Sequence, residues 1–274
     1  MTPVPMRLKY VPPRQGSQWV RRGFATFFKQ PLPLSGLFTA FLVGGVLLGV
    51  LPMLLQLATL ALVPLGSLVF MTATRCIVEG RGGLAAAIVE PLRGTRRQNI
   101  ALALLGIGYM LGCVAIVALG GWMDGGALAE LMAAMHNGAE APAIAAKAGD
   151  PRVLFGLVGR LTLAALLSVP FWHAPALVHW AGQGAGQALF SSTIACWRNK
   201  GAFTLYGMTW AWVMMLLSLV SAVLFSAVGL GQSPAVPLVP SVLAGSVFYV
   251  SLYFTFADCF EPALPPMTRT NQET

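Results

Sequence analysis

Six stretches of mostly apolar residues dominate this chain: Leu32–Val50, Met53–Thr72, Ile100–Gly121, Val153–Trp172, Ala202–Val228 and Pro237–Phe256. About 20 such residues, rising about 1.5 Å each as a helix, cross the hydrocarbon core of a bilayer. The fold class that follows is all-α, a polytopic membrane helix bundle with six transmembrane helices. Composition agrees, since 57% of the residues are hydrophobic and 9% are charged. Soluble domains carry roughly 25% charged residues. The chain is read as one integral membrane domain over 1–274, with a flexible basic N-terminus at 1–16, an external loop at 122–152 and a cytoplasmic tail at 258–274. No signal peptide is expected at its start, where six Lys/Arg and four Pro interrupt any apolar run.

The net charge of +8 does not point to nucleic acid, because the cations flank the apolar runs. Arg7, Lys9, Arg14, Arg21, Arg22 and Lys29 precede the first. Arg75, Arg81, Arg93, Arg96 and Arg97 lie between the second and third, and Arg198 and Lys200 between the fourth and fifth. The loop 122–152 has only Lys147 and Arg152 against four acidic residues. By the positive-inside rule both termini are cytoplasmic. Leu51-Pro52 is read as the corner of a tight first hairpin, since proline cannot continue a helix. Cys76, Cys113, Cys196 and Cys259 are widely spaced and are expected to be free thiols.

Each cytoplasmic segment before a hairpin carries an amphipathic stretch. In Ser17–Pro31, Trp19, Val20, Phe24, Phe27 and Phe28 share one arc, with Arg21, Arg22 and Lys29 on the other. Gly83–Asn99 places Leu84, Ile88 and Leu92 on one face, and Gly186–Gly201 groups Phe190, Ile194 and Trp197. These read as three cytoplasmic interfacial helices on an anionic leaflet. With the external loop set aside, they are nearly evenly spaced. A threefold internal repeat follows, each copy an amphipathic helix and then a two-span hairpin. Arg21, Arg22, Phe24, Phe28, Trp19, Trp172, Trp180 and Trp197 are the expected membrane-interface residues.

The segment FWHAPALVHWAGQG, Phe171–Gly184, holds two of the three histidines. Helical metal pairs need spacings of three or four to share a face. His173 and His179 are six apart with Pro175 between them, so an interfacial elbow accounts for the residues better than a metal or haem site. No cofactor is expected. Arg160 lies about 12 Å into the fourth span by helical rise, and a charge there is a functional candidate by default. No acidic residue lies inside a predicted span to pair with it. Gln56 and nearby hydroxyls are candidate partners, with a lipid phosphate or anionic substrate as the alternative. Asp258 at the end of the last span opposes the helix dipole and calls for a cation. Arg22, Arg75, Arg96 and Arg97 are within reach, and Asp258–Arg96 is taken as the structural ion pair. Gly45-xxx-Gly49 and Gly108-xxx-Gly112 are packing signals. Ala127–Met135 is expected to form a short helix in the external loop.

The N-terminal VPPRQGSQWVRRGFATFFKQPL, with Gly16, Trp19, Gly23, Phe28 and Pro31, resembles the start of an uncharacterised family of bacterial polytopic inner-membrane proteins. The Pro-Ala-Leu-Val elbow and the helix ending at Cys196 and Asn199 resemble a later segment of the same family. More distantly the chain is similar to the membrane domain of glycerophosphodiester phosphodiesterases. The resemblance implies a bacterial cytoplasmic-membrane location and no assigned activity. Three readings follow from the residues. A non-catalytic scaffold or accessory protein would bind anionic membrane lipids, a membrane protein partner or a second copy of itself. A small transporter or channel would use Arg160 to read an anionic or amphipathic solute. A membrane-embedded enzyme is disfavoured, because no acid, histidine or metal cluster falls within the spans.

Overall fold

A computed structural model describes residues 6–49, 53–81, 84–229 and 235–262. The Pro52 corner, the segment 230–234 and the tail beyond Pro262, with Arg269, lie outside the described residues. Among the described residues, six helices are long and apolar enough to cross a membrane. The first hairpin is α2 (Pro31–Gly49) with α3 (Met53–Ala61) and α4 (Val63–Glu79). Pro64 sits in the first turn of α4, where its missing N–H costs nothing, and so the second span is broken between α3 and α4. A short α5 (Leu84–Val89) and a 3-10 turn (Glu90–Arg93) lead into α6 (Arg96–Asp124). Thr95 and Gln98 cap α6 reciprocally, satisfying two orphan backbone donors at its start.

The distal segment holds α7 (Ala127–His136), where a helix was expected, and an additional helix, α8 (Ala141–Ala148). The second hairpin closes with α9 (Pro151–Phe171) packed along α6. Then come α10 (Ala174–Ala181), α11 (Ala185–Arg198) and the third hairpin, α12 (Lys200–Ala227) and α13 (Ala235–Cys259). Helix α1 (Gln15–Phe27) and a two-stranded ribbon share the proximal end with α5, α10 and α11.

The ribbon corrects one expectation. The N-terminal segment is not loose from residue 6 onward, because β1 (Met6–Leu8) pairs antiparallel with β2 (Phe260–Pro262), Leu8 opposite Phe260. Asn199 buttresses the segment. Its side-chain carbonyl accepts from Val11 N at 2.8 Å, and its amide donates to Lys9 O at 3.1 Å.

The packing also revises the repeat. Helix α5 lies on α4, and α11 lies on α9 and α6, so each short helix packs on the hairpin before it. Among the described residues the third hairpin is followed by β2, and it takes α1, which packs on α12 and α13. In the packing, each hairpin is paired with one of the short helices α5, α11 and α1. The ends of α4 and α13 share a Thr-x-x-x-Cys spacing, Thr72 with Cys76 and Thr255 with Cys259. Of the expected packing glycines, Gly108 and Gly112 face Phe171 and Leu167 of α9, whereas a Cβ at Gly45 would meet open space.

Candidate functional site

The elbow folds inward. Helix α9 stops at Phe171, and α10 restarts with Pro175 in its first turn. It ends at Gly182, whose φ of 65° favours glycine. His173, Ala174, Ala176, Leu177 and Val178 are all 0% exposed. Helix α10 therefore plugs the proximal end of the bundle, packed against α4, α6, α9 and α11. His173 Nε2 lies 3.2 Å from Thr255 Oγ1, and the His173 N–H donates to Ser192 Oγ at 3.0 Å. His179 instead lies 3.6 Å from Glu90. Gln98 donates to His179 O at 2.8 Å, fastening α10 to the start of α6. Among the described residues, no group of three or more His, Cys, Asp or Glu side chains converges.

The amphipathic Ser17–Pro31 stretch is docked into protein. Gly16 passes so close to α12 that a Cβ there would collide with Ala202 O. A Cβ at Gly23 would sit 2.8 Å from Ser251 Cβ of α13. Between these close approaches Trp19 is 0% exposed and packs on Phe203 and Tyr206. Its indole N–H donates to Asp258 at 2.8 Å. Asp258 also accepts from Gln15 at 2.7 Å and from Arg22 at 2.9 Å. The Arg22 guanidinium lies 4.2 Å over Phe254. The partner of Asp258 is thus Arg22 and not Arg96, which is exposed in the first turn of α6. One carboxylate takes three donors from successive turns of α1, which fixes the helix in both position and rotation.

The expected interface residues divide accordingly. Arg21, Phe28 and Trp197 are exposed. Trp19 is in the core, and Trp180 is buried against Phe256 with Arg75 stacked on it. Trp172 is half-buried and donates to Thr255 Oγ1 at 3.1 Å. Phe24 is half-buried and stacks on Trp210.

Helix α11 turns its bulky side outward. Ala188, Ser192 and Ala195 make its buried face, while Phe190 and Trp197 are 67% and 71% exposed. Ser192 Oγ donates to Val169 O at 3.0 Å. Cys196 is buried beside it, and burial pushes its thiol up to about 12. At pH 8 roughly one such thiol in ten thousand would be ionised. With Cys76, Cys113 and Cys259 replaced by Ala, folded protein is expected to resist maleimide at pH 8 and to label on unfolding. Fast labelling of the folded state would mean that α11 swings off α9. All four cysteines are free.

Near the distal end Arg160 meets an acidic partner. Helix α6 runs on past the expected end of the third span to Asp124, whose side chain is 0% exposed. Arg160 Nη1 donates to Asp124 at 2.6 Å, and Asp124 also accepts from Gly126 N at 2.9 Å. Two glycines make the room. A Cβ at Gly120 would sit 2.5 Å from the Arg160 side chain, and one at Gly156 would overlap the Asp124 carboxylate. Gln56 sits on α3 with an exposed side chain.

A helical bundle whose described residues include six bilayer-length apolar helices defines a multi-pass membrane protein. Compared with curated proteins, the chain is similar to a probable inner membrane protein of Burkholderia thailandensis, 30% identical over 275 residues that cover 97% of this chain and 99% of the relative. The chain belongs to that family of bacterial inner-membrane proteins. No family model matches it, and no solved structure does. The relative's name states no catalytic activity, and nothing in the comparisons supports the likeness to glycerophosphodiester phosphodiesterases.

Proposed function

We propose that the protein is a non-catalytic scaffold or accessory protein of the bacterial inner membrane, with both termini cytoplasmic, that binds anionic lipid or a membrane protein partner. The observation that carries this reading is the α10 plug. A solute path between the hairpins would have to pass a helix whose His173, Ala174, Ala176, Leu177 and Val178 have no exposed surface. Arg160, the candidate for reading an anionic solute, is occupied by Asp124. The exposed aromatics of α11, ending at Arg198 and Lys200, suit a surface of anionic lipid headgroups.

The test is native mass spectrometry of protein released gently from its own membrane, as wild type and as Arg160→Leu. Retention of anionic lipid or a defined protein by both forms is expected. A small anion bound by the wild type and lost from a folded Arg160→Leu variant would overturn the scaffold in favour of a transporter.

A further inference from the structure

Between α9 and α12 the bundle carries a groove of 420 Å³. At its proximal end Lys200 Nζ lies 5.3 Å over the ring of Trp197, next to exposed Arg198. From there the wall is aromatic: Phe203, Tyr206 and Trp210 of α12, with Trp172 and Phe248 alongside. The Tyr206 hydroxyl is already paired with Ser251 at 2.6 Å. No carboxylate lines the groove. Gly207 leaves a recess, since a Cβ there would meet nothing within 4 Å.

Lys200 and Trp210 are ten residues apart on one helix, about 15 Å. That is about half of a roughly 30 Å hydrocarbon core. The groove thus begins at Lys200, with exposed Arg198 two residues before it, and runs about half a hydrocarbon core, the reach of one acyl chain in one leaflet. The larger groove of 660 Å³ between α2 and α4 is lined by Leu37, Phe41, Gly44, Gly66 and other apolar residues, with no cation among them. It offers nothing to hold a headgroup.

We propose that the α9–α12 groove is a binding site for an anionic diacyl phospholipid. The phosphate sits at Lys200 and Arg198, and one acyl chain lies along Phe203, Tyr206 and Trp210. This deepens the scaffold reading and rests on it.

The experiment is lipid retention by native mass spectrometry, after the detergent-purified full chain is exchanged against phosphatidylglycerol or phosphatidylcholine. The wild type is expected to keep phosphatidylglycerol about tenfold better. Arg198→Glu with Lys200→Glu should abolish that preference. Gly207→Leu projects into the recess, where a Cβ meets no protein atom within 4 Å, and should lower retention of phosphatidylglycerol severalfold at an unchanged melting temperature. Equal retention of the two lipids by the wild type would overturn the proposal. So would a preference that survives in all the variants, which would put the lipid elsewhere and leave the scaffold reading standing. The scaffold reading itself fails if native membranes yield neither bound lipid nor a protein partner, or if they yield the small anion that Arg160→Leu loses.

Discussion

Replacing Trp19 by Ala is expected to lower the stability of the detergent-purified protein by about 3–5 kcal/mol, the usual cost of deleting a buried aromatic side chain. The loss has two sources. The indole is 0% exposed against Phe203 and Tyr206, and its N–H is one of three donors holding Asp258. Trp19→Phe separates them, keeping most of the packing and giving up only the hydrogen bond. Its expected cost is about 1–3 kcal/mol, because the acceptor is charged. Thermal melting with limited proteolysis near Arg14 and Arg21 reads both effects, since an undocked α1 exposes those bonds. Trp19→Ala within 1 kcal/mol of wild type would show that α1 is not seated where Gly16 and Gly23 allow it.

The second large effect is expected at the distal pair. Asp124→Ala leaves the Arg160 guanidinium, 18% exposed, without its partner in a low-dielectric region. Removing one member of a buried pair is far more damaging than replacing both by apolar groups. The single variant should lose about 5 °C or more in melting temperature, and Asp124→Leu with Arg160→Met should recover most of it. If the double variant is as unstable as the single one, the pair does more than neutralise itself and Arg160 has a further partner. Gly156→Val should mimic Asp124→Ala, because its side chain would displace the carboxylate.

The spans were legible because each is a long apolar run, and the described helices overlap all six. Their ends were less so: a helix runs past its last apolar residue when a charge at its tip finds a partner, as α6 does at Asp124. That is how Asp124 escaped notice, since a span closed at Gly121 leaves it in the loop. Gly120 and Gly156 were the available signal, small residues where two helices must pass close around a larger group. The amphipathic stretches posed a different difficulty. An apolar arc shows that one face avoids water, but lipid and protein satisfy it equally. For α1 the deciding clue was Gly16 and Gly23, seven apart on the arc of Trp19, which is a close-packing surface. For α11 the small face of Ala188, Ser192 and Ala195 is the packed one, and the bulky face is left outside. A carboxylate at the end of the last span asks for a cation, but spacing alone cannot choose Arg22 over Arg96 for Asp258 without the docked pose of α1.

The docking of α1 also sets an order of events as the chain is made. Gln15 and Asp258 are 243 positions apart. At 5–20 residues per second, roughly 10–50 s separate their emergence from the ribosome. For most of that interval α1 has its aromatic arc and basic flank but no Ala202, Ser251 or Asp258 to receive them. It must wait on the bilayer surface, for which its amphipathic sequence is suited, and leave that surface only when the final span arrives. The first helix to be synthesised is then among the last to be seated, and its seating reports that the whole chain has been inserted.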